Sequence, residues 1–181
     1  MRDLLGALAV LLLVVVALLG FGRGCSFSPG GPSVDPATAP TADASRELAA
    51  AASSVDFPVR RPDLPTGWRA NSASTSAVGT GASVIVRVGW LTPGGKFAQL
   101  SQSGGKVPEV LRTETDREGA RASGEVDVDG VRWTRYPGRR DEQAWVTQLN
   151  GATLLITGTA GEDEFRVLAR AVQAANPLPR G

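Results

Sequence analysis

Chemistry near neutral pH needs side chains that ionise, attack or ligate, and this sequence is poor in them. It contains no histidine and a single cysteine, Cys25. Without histidine there is no imidazole base for a Ser-His-Asp or Cys-His nucleophile, and no imidazole ligand for zinc. One cysteine can form neither an internal disulfide nor a thiolate cluster. Lysine occurs only at Lys96 and Lys106, both beside glycine-rich turns, where an exposed ammonium stays charged and is a weak base. Serines are plentiful, but none lies in a G-x-S-x-G elbow, so pairing with one of those two lysines is the only hydroxyl chemistry left. Cleavage of a glycan by two carboxylates would need them about 5–10 Å apart across a cleft. Most acids here fall in turns or at helix starts. The residue types therefore point away from an enzyme, and no cofactor is implied.

Binding is better supplied. Trp68, Trp90, Trp133 and Trp145 stand out in a chain with 6% aromatic residues. A Trp-lined groove suits a lipid, a sugar or a peptide; the same side chains would equally fill a small core. Trp68, which follows a loop, is the one most expected at the surface. The run Arg132, Trp133, Arg135, Tyr136, Arg139 and Arg140 could meet anionic headgroups or a phosphate polymer. Asp141 and Glu142 follow it at once, which suits a solvated strand end. Trp68, Arg132, Trp133 and Arg135 are the candidate ligand-binding residues. Glu125, Asp127, Asp129 and Gly130 open like a calcium loop, but Tyr136 stands where the bidentate acid belongs, so no metal site is expected. Gly158 to Gly161 could cradle an anion, yet Glu162, Asp163 and Glu164 already occupy that helix start and would repel one. With Gly161 as the cap, Glu164 falls at the third helical position, an ordinary capping arrangement. The balance of 19 basic against 18 acidic residues, net +1, gives no basic excess for nucleic acid.

Hairpins must position these residues. Ser83 to Trp90 is β-branched and reads as a mostly buried strand with Arg87 among apolar neighbours. Pro93-Gly94-Gly95 turns the chain into an alternating strand from Phe97 to Ser103. Pro108 starts a short helix over Glu109 to Thr115 with Val110 and Leu111 inward. Asp129-Gly130 joins strands 125–128 and 131–136, and Asn150-Gly151 joins 144–149 and 152–157; both dipeptides favour two-residue hairpin loops. Phe165, Leu168, Ala169 and Val172 recur at helical spacing over 162–175, before Asn176-Pro177. The fold class expected is α+β: a largely antiparallel sheet with two helices packed on one face, preceded by one N-terminal transmembrane helix.

That helix is residues 4–21, LLGALAVLLLVVVALLGF, uncharged and about 27 Å long as a helix, near the hydrocarbon thickness of a bilayer. No Ala-x-Ala cleavage site follows it. Gly22 and Arg23 depart from the aliphatic and small neutral residues of a lipobox before Cys25. An uncleaved anchor is the expectation, with signal-peptide cleavage and lipidation of Cys25 as the alternatives. Arg2 before it and Arg23 after it leave only a slight preference for an outside domain. Residues 22–56 read as a Pro/Gly/Ala-rich tether with a short helical stalk over 46–54, and the folded domain as residues 57–176.

The segments FPVRRPDLPTGWRANSA, VGWLTPGGKFAQLSQS, VDVDGVRWTRY and LLITGTAGEDEFRVLA resemble a family of small membrane proteins from high-GC Gram-positive bacteria, the domain of unknown function 4245. Leu64-Pro65 with Gly67-Trp68, and Gly158-Thr159-Ala160, are the most specific pieces. The resemblance implies one N-terminal hydrophobic segment and an extracytoplasmic domain, and carries no catalytic residue. The expected role is a non-catalytic protein-interaction or scaffolding module of the cell envelope, single-pass in the cell membrane. Its partners would be the bilayer, through the N-terminal helix, and an envelope protein. The alternative is a binder or carrier of a lipid or cell-wall-derived small ligand.

Overall fold

A computed structural model describes residues 41–79, 81 and 83–180. The expected anchor, and the tether as far as Pro40, lie outside these residues. Among the described residues no helix is long and apolar enough to cross a membrane.

The first described element is helix α1 (Ala44–Ala52), whose first turn is closed by Asp43 accepting the Arg46 N–H at 3.0 Å. Strands β1 (Arg69–Ala77), β2 (Val84–Leu91) and β3 (Phe97–Ser103) follow as a meander. Helix α2 (Val107–Thr115) carries the chain to β4 (Gly124–Val128). Strands β5 (Val131–Pro137), β6 (Gln143–Leu149) and β7 (Ala152–Gly158) then run back, and helix α3 (Glu162–Ala174) closes the fold. All pairings are antiparallel, in the order β1-β2-β3-β7-β6-β5-β4, so the last strand completes the centre of the sheet. Asp129 and Gly130, and likewise Asn150 and Gly151, all take positive φ, as the two hairpin loops require.

Side chains alternate between two faces along each strand. On the upper face Val86, Val88, Trp90, Ala98, Leu100, Trp133, Trp145, Leu154 and Ile156 pack against Leu48 and Ala51 of α1 and Phe165, Leu168 and Val172 of α3. On the lower face Ile85, Ala144, Val146 and Leu155 pack against Val110 and Leu111 of α2. The expectation of two helices on one face is thereby corrected. Among the described residues there are three helices, and α2 lies on the opposite face from α1 and α3. The reason is visible in β7, where Leu154 and Leu155 are both fully buried, so both faces need cover.

Two further departures concern the amino-terminal half. Leu48 is 0% exposed, which makes the Ala-rich helix part of the core and not a separate stalk. The Ser-rich segment Arg69–Ala77 forms a nine-residue edge strand with a bulge between Ala70 and Ser72. Buried Gln102 ties the chain after α1 to the sheet: its amide accepts the Arg60 N–H and donates to the Arg60 carbonyl, both at 2.8 Å. The Arg60 guanidinium donates to Ala175 O beyond α3, and burial lowers its pKa.

Candidate functional site

Because α2 packs mainly on β6 and β7 and meets β2 at Ile85, the lower face over β1, β2 and β3 is left partly open. Its lining is mostly polar. Ser74 of β1, Arg87 of β2, Gln99 of β3 and Thr157 of β7 project there beside the ring of Phe97, and Thr113 and Glu114 at the end of α2 form one wall. Arg139 and Glu142, on the loop between β5 and β6, form another. Together they bound an open groove of about 420 Å³.

Glu114 organises this groove. Its side chain is 4% exposed and pairs with Arg87 Nη2 at 2.6 Å, with the Arg87 side chain 17% exposed. Arg87 Nε also donates to that same oxygen, Oε1, at 2.8 Å, so two guanidinium nitrogens converge on one carboxylate oxygen. Gln99 Nε2 and Ser101 Oγ each donate to the other carboxylate oxygen at 2.8 Å. Arg87 Nη1 reaches Ser76 Oγ at 2.7 Å, and Arg139 holds the Thr113 carbonyl at 3.1 Å. The result is a fixed array of donors and acceptors on a rigid sheet. Such an array can orient a polar partner.

The four residues singled out from the sequence do not come together. Trp133 is 0% exposed on the upper face, with its indole N–H donating to Gln173 of α3 at 2.7 Å. Arg135 sits on that same face, 5.2 Å from the centre of the Trp145 ring, and pairs with Glu162 at 2.8 Å. Arg132 points to the other face, 75% exposed, in a loose 3.5 Å pair with Glu125. Trp68 is half-buried against the main core. Trp90 and Trp145 are buried, Trp145 edge-on to Phe165 at 5.4 Å. A second depression, about 540 Å³, lies between α1 and residues 61–64, with Trp90 among its lining residues.

The other motifs have local structural duties. Asp127 accepts the Gly130 N–H at 3.0 Å within the hairpin turn, and Asp129 pairs with Arg170 of α3 at 3.2 Å. The Gly161 N–H is received by Glu164 at 2.9 Å, the capping expected there. Ser103 and Lys106 have the Ser-x-x-Lys spacing of some acyl-transfer enzymes. Ser103 is buried at a strand end, where it donates to Val84 O at 2.7 Å and accepts the Gly105 N–H at 3.0 Å. Glu162 is held below the ordinary carboxylate range, first by the Arg166 hydrogen bond and then by the charges of Arg135 and Arg166, while desolvation opposes them.

Glu114, Gln99 and Ser101 were not marked in advance, and Arg139 only as a member of the basic and aromatic run. The one usable signal was the alternation of Gln99 and Ser101 with Ala98 and Leu100, which puts polar residues on one side of a central strand. A seven-stranded antiparallel α+β domain with an open, polar half-face is the class that fold and site define. No curated protein and no solved structure matches the chain. It belongs to the family described as Protein of unknown function (DUF4245), which matches residues 1–172.

Proposed function

We propose that this chain is a non-catalytic interaction module of the cell envelope, anchored through residues 4–21, with its folded unit outside the cytoplasm and its open lower half-face turned to a protein partner. One observation carries the reading: the sheet's faces are treated unequally. The upper face is sealed by α1, α3 and the Phe57–Val59 segment. Part of the lower face is left as an open, ordered groove, backed by the Arg87–Glu114–Gln99–Ser101 network. A polar, prearranged surface loses little side-chain entropy when a partner docks. The family match reaches back through the apolar amino-terminal segment, which supports treating anchor and domain as one unit.

Photo-crosslinking in intact membranes tests this. A crosslinker at Glu142, beside the groove, should give a discrete protein adduct, and one at Asp163 on α3 should not. Arg139→Glu, which reverses charge at the rim, should abolish the Glu142 adduct. Equal labelling from both positions, or an adduct indifferent to Arg139→Glu, would count against the reading.

The groove's volume favours one second reading. About 420 Å³ lies in the range of small-molecule sites, and its lining suits a polar cell-wall-derived fragment better than a lipid. Native mass spectrometry of the full chain released gently from its membrane distinguishes the two: a co-purifying small mass lost in Arg139→Glu favours the ligand, a clean chain mass the protein partner.

A further inference from the structure

We propose that the outer edge of β1 pairs with β1 of a second copy of this chain, joining two sheets across a two-fold axis. The two ends of the sheet are finished very differently. At the β4 edge the strand is five residues long and carries Glu125 and Asp127. There α3 reaches over it: Arg166 takes the Asp127 carbonyl and Gln173 the Val128 carbonyl, both at 2.9 Å. Charge, shortness and covered carbonyls are how proteins close an edge to further pairing. Among the described residues the β1 edge has these only at its start, Arg69 and Ala70. It is nine residues long, RANSASTSA, with no charge after Arg69 and no proline.

Its backbone is set for another strand. Val78 donates to Ser83 at 2.7 Å, so the alternate residues Ser76, Ser74 and Ser72 also turn their backbone groups toward β2. Ala73, Thr75 and Ala77 then turn theirs outward. Ala42 donates to Ala70 O at 3.1 Å, which occupies the edge at its beginning. Among the described residues no backbone group meets the outward side of Ala73, Thr75 or Ala77.

These positions match themselves. If two β1 strands run antiparallel about an axis at Thr75, then Thr75 faces its own copy, and Ala73 faces the copy's Ala77. Every outward residue meets an outward residue, giving about six backbone hydrogen bonds. Ser74 and Ser76 lie opposite each other, a small polar pair, and the single charge, Arg69, falls beyond the pairing. A symmetric, self-complementary patch is what a two-fold contact requires. The occupant is therefore a second copy, and the inference stands whether or not the lower groove binds the partner proposed above.

The test is a disulfide at the axis. Residues directly opposite in a hydrogen-bonded antiparallel pair have Cα atoms about 5.5 Å apart, within reach of a disulfide. In full-length chain carrying Cys25→Ser, expressed in cells and treated with a mild oxidant, Thr75→Cys should give a covalent homodimer. Its yield should exceed that from Glu125→Cys, on the closed edge, by roughly tenfold. Adding Ala77→Lys, a change at an exposed position that faces Ala73 of the copy, should remove the dimer. The proposal is overturned if Thr75→Cys links no better than Glu125→Cys, or if the dimer survives Ala77→Lys. It is equally overturned if Thr75→Cys links to a different protein, which would make β1 a site for a foreign extended segment.

Discussion

A buried carboxylate is tolerated only when donors surround it, and Glu114 receives them from Arg87, Gln99 and Ser101. Glu114→Ala strands the Arg87 charge against the sheet and should cost about 2–4 kcal/mol in chemical denaturation. The double change Arg87→Met with Glu114→Leu should recover much of that loss, since no unpaired charge is left. If the double variant is as unstable as the sum of its parts, the pair is not acting as a unit. Glu162 makes a pH prediction. Its folded pKa is depressed, chiefly by the Arg166 hydrogen bond, so its stabilising contribution is complete above the unfolded value, about 4.3, and drains away as pH falls through the lower folded value. Thermal melting followed across that acid range should show a decline that Glu162→Gln makes shallower. The carboxylate is partly exposed, so the effect should be small and should weaken further in salt. At this scale little of the site was legible in advance. Arg87 was visible as a cation among apolar neighbours, but its partner lies on α2, and nothing local in either segment records a contact across a fold.

Elements were more legible where local geometry alone decides them. Asp129-Gly130 and Asn150-Gly151 specify their hairpins because both central residues must take positive φ, and they do. Helix α3 was legible because its apolar spacing and its Asn176-Pro177 stop are both local. Strand β1 was not, since alternating Ser, Ala and Thr give no hydrophobic period; β2 recruits it by offering an unpaired ladder. The face chosen by α2 was also hidden, because a helix's apolar stripe says that it packs and not on which side. Helix α1 reads as a stalk by composition, yet Leu48 fixes it in the core. Leu48→Ala should therefore destabilise the domain by about 2–5 kcal/mol, measured by equilibrium denaturation. A change within the noise would return α1 to the tether. Gly158 has φ 141°, and a Cβ there would lie 2.1 Å from Phe97 O, where β7 meets β3. Gly158→Ala should prevent the two halves of the sheet from joining cleanly, seen as loss of a sharp cooperative melt.

At the scale of the whole molecule, the proposed placement outside the cytoplasm makes a direct prediction. A reporter enzyme that works only outside the cytoplasm, fused after Gly181, should be active; a stable but silent fusion would reverse the orientation. The seven-strand sheet has a history as well as a shape. Its central strand is the last one made, and Ser103 waits for Thr153, and Ala98 for Gly158, before β3 has its second neighbour. In a chain delivered amino-terminus first, β1–β3 and β4–β6 have no strand to join them until Ala152–Gly158 is made. Such non-local closure is slow. A polypeptide cut short before Ala152 lacks the joining strand, and should be cleared by proteases faster than the whole chain.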